Sequence, residues 1–276
     1  MTRRFWLCAD DYGIAPGVSA AIRDLVGQGR LNATSVMVVP PSFSRDEADA
    51  LAELNRDSKR VAIGLHVTLT APLEPLTATY RPLFVGRFLP IKTMLALSVR
   101  GQLDTAALAN EVEAQFGAFN DAFGRSPDFV DGHQHVHLFP QVREVVLAAA
   151  QHFAPQAWVR QCGSSAPLLR RLGDPKGMLI DWLSRAFRAR AASLGIATNP
   201  AFAGTYSYRP SADFERLFPG FLKGMPEGGL VMCHPGIVDS ELERVDPLTT
   251  LREREYAYFR GDRFPEDLKA SGLTLN

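Results

Sequence analysis

Short apolar runs alternate with longer amphipathic stretches along this chain. "RFWLC" predicts a buried strand, and in the following "PGVSAAIRDLVGQGRL" the residues Val18, Ile22, Leu25 and Val26 recur at helical spacing before Gly27 and Gly29 close the segment. "TSVMVVP" predicts a second strand ended by prolines, Ser44 to Leu54 a helix, and "RVAIGLHVTLT" a third strand. From Asp104 to Phe123 the apolar residues Leu108, Val112, Phe116, Phe119 and Phe123 share one helical face, with Asp104 as N-cap and Gly124 as stop. "SPDFVDGHQHVHLF" reads as strand and loop, and Pro140 opens a helix. "AWVRQC" and "GGLVMCHPG" predict later strands, while Leu179–Leu194 and Leu251–Arg260 predict amphipathic helices.

Strand and helix in alternation imply parallel strands with helices outside. About seven such units suit an α/β fold of one β/α-barrel-like domain, expected as a distorted seven-stranded barrel over residues 1–276. An open doubly wound sheet is the alternative. Its dinucleotide-binding form would carry G-x-G-x-x-G after the first strand, where this chain has Asp10, Asp11 and Tyr12.

Composition narrows the partners. Lys plus Arg and Asp plus Glu are 30 each, so no basic excess points to nucleic acid or an acidic membrane. The three cysteines are too few and too scattered for a disulfide framework. "MTRRFWLCADD" has too short an apolar core for a signal peptide, and no stretch reaches about 18 uninterrupted apolar residues, so membrane insertion is not expected. The expectation is a soluble cytoplasmic protein acting on a small ligand.

Functional groups of parallel α/β folds collect where strands end. Asp10 and Asp11 end the first strand, His66 lies near the end of "IGLHVTLT", His133, His135 and His137 follow "DFVDG", and His234 follows "GLVMC". Only His152 among the histidines falls elsewhere. Two neutral imidazoles and one carboxylate make an open site for a divalent ion. If residues 131–137 formed a straight strand, Asp131, His133, His135 and His137 would share one face at steps of about 6.6 Å. One ion with bonds of about 2.1 Å cannot gather three imidazoles so spaced. One would bind metal and the others orient it or meet substrate.

"ADDYG", "IGLHVTLT" and "DGHQHVHLFPQV" together resemble the signature segments of the YdjC-like carbohydrate deacetylases, a family that includes chitooligosaccharide deacetylases. The likeness is strongest over about residues 4 to 160, with "CHPG" and "LREREYAYF" fainter echoes. It implies one YdjC-like deacetylase domain that removes the N-acetyl group from an amino sugar or short oligosaccharide and releases acetate. It implies one divalent metal, Mg or Zn, held by Asp11, His66 and His133, with Asp10 as base and His234 as general acid. A homodimer is a further expectation of the resemblance.

The hypothesis places both carboxylates at one site because the turn at Tyr12-Gly13 redirects the backbone. Asp131 would hold an imidazole in its tautomer, and Arg160 would either neutralise the Asp cluster, bind a substrate oxygen or make a plain structural ion pair. Tyr12 and Gln134 depart from the family's usual residues, and Tyr12 is expected to bring a hydroxyl near the mouth. A metal-dependent phosphoesterase and a non-catalytic sugar- or metal-binding protein are the competing readings. The first would prefer a second ion about 3.5 to 4 Å away, and the second has no need of a base such as Asp10.

Overall fold

The computed structural model describes residues 2–164 and 175–275. Its centre is β1 (Arg3–Tyr12), whose Phe5, Leu7, Cys8 and Ala9 are completely buried, as a parallel strand covered on both faces requires. Chain order continues with α1 (Pro16–Gly27), β2 (Ala33–Val36), α2 (Arg45–Glu53), β3 (Ala62–Val67), α3 (Ile91–Val99), α4 (Thr105–Phe123) and β4 (Phe129–Gly132). There follow α5 (Pro140–Phe153), β5 (Trp158–Val159), α6 (Pro175–Ser193), β6 (Phe202–Ala203), α7 (Phe214–Leu222) and β7 (Gly229–Cys233). The last elements are α8 (Ser240–Val245), α9 (Thr250–Arg260), α10 (Arg263–Ser271) and β8 (Leu273–Leu275).

The strands run in the order β5-β4-β3-β2-β1-β7-β6, all parallel, with β8 added beside the start of β1. This path curls into a half-barrel surrounded by helices. Isolated parallel bridges, Val159 with Thr198 and Ser164 with Phe202, carry pairing from the β5 edge toward β6. The expected seven-stranded, barrel-like α/β architecture is therefore the observed one.

Local chemistry explains the helix starts. Ser44 accepts a hydrogen bond from the Glu47 N–H and Asp104 accepts from Ala106 and Ala107, caps each worth about 1 kcal/mol. Gly124, at φ 65°, ends α4 in the left-handed conformation expected of it.

Two strands are shorter than the sequence predicts. β2 stops at Val36, although the Met37 N–H still donates to the Tyr12 carbonyl at 2.8 Å. β5 stops at Val159 because the amide side chain of Asn199 takes over the pairing of Gln161, accepting from its N–H at 2.8 Å. The predicted helix over Leu179–Leu194 is the greater part of α6.

Candidate metal and catalytic centre

The two neighbouring carboxylates reach one site through an irregularity in β1. Ala9 pairs with Thr34 but Tyr12 pairs with Val36, so β1 spends three steps where β2 spends two. The extra residue is a bulge, and Asp11 within it adopts φ 68°. That left-handed residue, one position earlier than the expected Tyr12-Gly13 turn, undoes the strict alternation of faces. Gly13 follows at φ 93°, where a Cβ would lie 2.6 Å from the Met37 carbonyl oxygen.

Asp11 Oδ1 lies 2.9 Å from His133 Nδ1 and 3.3 Å from His66 Nε2. These three ligand atoms all fall within 4.8 Å of one another. His66 and Asp131 are register partners on β3 and β4, and His66 Nδ1 donates to Asp131 Oδ1 at 2.6 Å. That bond keeps a hydrogen on Nδ1 and aims Nε2 at Asp11, so Nε2 is the nitrogen that would give its lone pair to an ion in place of a proton. Ser35, at the end of β2, sits 3.0 Å from the same Nδ1 and donates to Asp10 Oδ1 at 3.3 Å.

Asp10 faces Arg160. The guanidinium grips it with two parallel bonds, Nη1 to Oδ2 at 2.7 Å and Nη2 to Oδ1 at 2.6 Å. Nη2 also pairs with Asp131 Oδ2 and lies 3.1 Å from Cys8 Sγ. Cys8, Asp10 and Asp131 form a second potential ligand group, but its centre is filled by this guanidinium. Among the described residues the Asp11, His66 and His133 group is thus the one open to an ion.

Burial opposes charge on Asp10, yet the two-pronged Arg160 contact outweighs it and holds the carboxyl well below its ordinary range. Asp11 is likewise lowered against burial by His133 and Arg252. His66 is disfavoured as a cation by burial, but Asp131 and Asp11 overcome this and push it up to about 10. The charge balance explains why. Asp10, Asp11, Asp131 and Asp246 share only two arginines, Arg160 and Arg252, so the cluster is short of positive charge, which a proton on His66 supplies here and a divalent cation would supply in its place. The residues present fit such an ion in both donor type and charge.

The histidine-rich segment is a strand followed by a turn, as expected, and not one straight strand. β4 ends at Gly132, and residues 133–138 form a tight 3-10 turn in which Gln134 and His135 have φ 54° and 60°. The imidazoles therefore diverge. His133 turns to Asp11, His135 lies 3.5 Å from Cys162 Sγ and edge-on to Phe202, and His137 Nε2 donates to the Arg160 carbonyl at 2.9 Å. Burial pushes His137 down to about 4 and His135 well below its ordinary value, so both are neutral. Gly132 permits the turn, since a Cβ there would lie 2.9 Å from His137 Nδ1.

His234 follows β7 on the other side of β1. Burial lowers its imidazole pKa against the opposing pull of Asp11 and Asp10, and Tyr208 Oη lies 3.5 Å from Nδ1. Its backbone N–H donates to Glu255 Oε2 at 2.5 Å. Tyr12 corrects an expectation: its hydroxyl donates to Glu47 and receives a hydrogen bond from Arg23 at 2.7 Å, beneath α1 and α2, and brings nothing to the mouth. The residue after the bulge points into the helical layer.

Four residues of this network lie outside the sequence prediction: Ser35, Asp246, Arg252 and Glu255. Arg252 and Glu255 left a signal. Leu251, Tyr258 and Phe259 define the buried stripe of α9, and the two charged residues stand on that same stripe.

The chain matches the YdjC-like protein family over residues 4–270. It is 26% identical to a chitooligosaccharide deacetylase of Citrobacter koseri over 264 residues, covering 94% of this chain and 88% of the relative. A chitooligosaccharide deacetylase of Escherichia fergusonii is 28% identical with the same coverage. Among solved structures, a protein of Enterococcus faecalis V583 proposed to cleave cellobiose phosphate superposes with a TM-score of 0.77 at 20% identity, covering 100% of this chain and 97% of the other. A family 4 carbohydrate esterase from Streptomyces lividans, solved with acetate, gives 0.52 at 9% identity, covering 99% and 92%. These two likenesses are of fold.

Proposed function

Because this chain belongs to the YdjC-like family, we propose that it is a carbohydrate deacetylase that hydrolyses the N-acetyl group of an amino sugar or short oligosaccharide with the help of one divalent ion. The observation that carries the reading is the convergence of Asp11 Oδ1, His66 Nε2 and His133 Nδ1 next to a carboxylate, Asp10, that is held by arginine instead of histidine. Asp11, His66 and His133 would hold the ion. When bound, it would polarise the acetamide carbonyl and acidify a water, and Mg or Zn would serve.

The chain's own groups account for the proton transfers. Arg160 keeps Asp10 ionised and oriented, so Asp10 accepts a proton from the attacking water. Burial keeps His234 neutral at rest, so the proton that Asp10 takes from the water is the one His234 relays to the nitrogen as the C–N bond breaks, leaving acetate and the free amine with Asp10 and His234 in their starting states. Asp131 holds His66 in its ligating tautomer. The protein is expected to act in the cytoplasm, as a homodimer, on a small N-acetylated carbohydrate.

The test is acetate release from N-acetylglucosamine and its short oligosaccharides by metal-stripped protein, with and without added Zn or Mg. Release that needs the ion and falls by about 10²- to 10⁴-fold in Asp10→Asn supports the reading. Ion binding with no acetate from any of these substrates would sink it.

A further inference from the structure

The Asp11 carboxylate is divided between two elements far apart in sequence. Its Oδ1 faces the two histidines, while its Oδ2 accepts from Arg252 Nη2 at 2.6 Å. Arg252 comes from the first turn of α9 and is completely buried. The same Nη2 reaches Asp246 Oδ2 at 2.5 Å, and Nε donates to the Leu248 carbonyl at 3.0 Å. The guanidinium is thus anchored independently of Asp11, by Asp246 at the end of α8 and by the Leu248 carbonyl, both in the segment that joins α8 to α9.

Stability alone is a poor explanation for this arginine. A buried ion pair often gains nothing over an apolar side chain of similar volume. Arg252 moreover leaves Nη1 buried with no hydrogen-bond partner among the described residues. An unpaired buried donor costs about 1–3 kcal/mol. What the arginine does provide is a fixed donor on one oxygen of a carboxylate whose other oxygen is aimed at the candidate ion.

Resting on the metal-centre reading above, we propose that Arg252 is a positioning residue for Asp11. It occupies Oδ2, leaves Oδ1 as the one oxygen offered to the ion, and holds the left-handed Asp11 in its bulge. The role extends to the other side of the site through the main chain, because the Arg252 carbonyl accepts from the Gly236 N–H at 3.1 Å, two residues beyond His234. Ion affinity and ion geometry would then depend on the α8–α9 segment, although no residue of that segment is a ligand.

Calorimetric titration of Zn2+ and Co2+ into metal-stripped wild type, Arg252→Met, Arg252→Lys and Asp246→Asn tests this, together with the visible absorption of the Co2+ forms. Arg252→Met is expected to weaken ion binding 10- to 100-fold, the range found when a ligand's hydrogen-bond partner is removed. Its Co2+ spectrum should change as Oδ2 becomes free to ligate, and Arg252→Lys should recover part of the affinity. Asp246→Asn, which keeps the arginine and loosens its anchor, should fall between, and it stands in should Arg252→Met fail to fold. Arg244→Met, in an exposed pair with Glu241, should leave affinity and spectrum unchanged. Wild-type affinity and an unchanged Co2+ spectrum in folded Arg252→Met or in Asp246→Asn would overturn the inference alone, whereas failure of the wild type to bind either ion would overturn the metal centre with it.

Discussion

His66 and Asp131 stand side by side on adjacent strands, and the Asp131 carboxylate accepts the His66 Nδ1 hydrogen at 2.6 Å while its other oxygen pairs with Arg160. One carboxylate thereby orients both a candidate ligand and the arginine that grips the candidate base. Asp131→Asn keeps the shape but can present an amide N–H to either neighbour. It is expected to lower divalent-ion affinity 10- to 100-fold and to reduce acetate release at saturating ion as well. Titration calorimetry and initial rates on the same preparations would check both, and an unchanged ion affinity would contradict the orienting role.

Arg160 is buried between two carboxylates, and its removal leaves Asp10 to the Ser35 hydroxyl and Asp131 to His66. Arg160→Met should destabilise the fold by about 3–5 kcal/mol, the usual cost of breaking a buried ion pair from one side. Chemical denaturation would measure it. A loss under about 1 kcal/mol would mean that water or a cation reaches Asp10 and Asp131 in the variant.

Glu255 gives a pH signature. Burial is the largest influence on it and, against the hydrogen bonds from Tyr206 and the His234 N–H, pushes its carboxyl from 4.5 up to about 7. The folded state then holds a proton that the unfolded chain has lost, so the stabilisation is complete below about pH 4.5 and vanishes as pH rises through about 7. The difference is about 3 kcal/mol across that window. Glu255→Gln, which cannot titrate, should lack this fall. Denaturation midpoints of the two proteins at pH 5 and pH 8 would show it, and parallel pH dependences would refute it.

Tyr12→Phe separates two readings of the residue that follows the bulge. The hydroxyl belongs to a buried network with Glu47 and Arg23, so its loss should cost about 1 kcal/mol of stability and leave the KM for an acetylated sugar unchanged. A raised KM would return Tyr12 to the mouth of the site.

Gly132→Ala places a methyl 2.9 Å from His137 Nδ1 and 3.1 Å from the His137 backbone nitrogen. The backbone nitrogen cannot swing aside as a flexible side chain would. A loss of about 1–3 kcal/mol is expected, together with weaker ion binding as His133 shifts. Full stability and affinity would show that the turn can relax.

Much of this was legible in the sequence because parallel strands are buried on both faces. Polar residues are then tolerated mainly at strand ends, and Asp10, Asp11, His66, Asp131 and His234 announced themselves by standing there. The hydrophobic pattern could not reveal the bulge in β1, since an extra residue at a strand end leaves the apolar run intact. Nor could it reveal that Gln134 and His135 are left-handed, because the periodicity of "DGHQHVHL" suits an extended strand equally well. Arg252 and Glu255 were hidden differently: a charged residue on an apolar stripe reads as an interruption until its partner is known. α7 went unrecognised although Phe214, Phe218 and Leu222 repeat at helical spacing, since Pro219 within it reads as a breaker.

β1 has β2 on one side and β7 on the other, and its Asp11 is tied to Arg252 across 241 positions of sequence. A ribosome releasing this chain exposes Asp11, His66 and His133 long before it supplies β7 or α9. Through most of synthesis the two acidic residues of β1 therefore stand on an open sheet edge without Arg160, and then without Arg252. Contacts this distant close slowly. The centre of the sheet becomes its centre only when the strand after residue 228 arrives, so truncations that spare every candidate ligand would still leave β1 exposed to pairing with other chains.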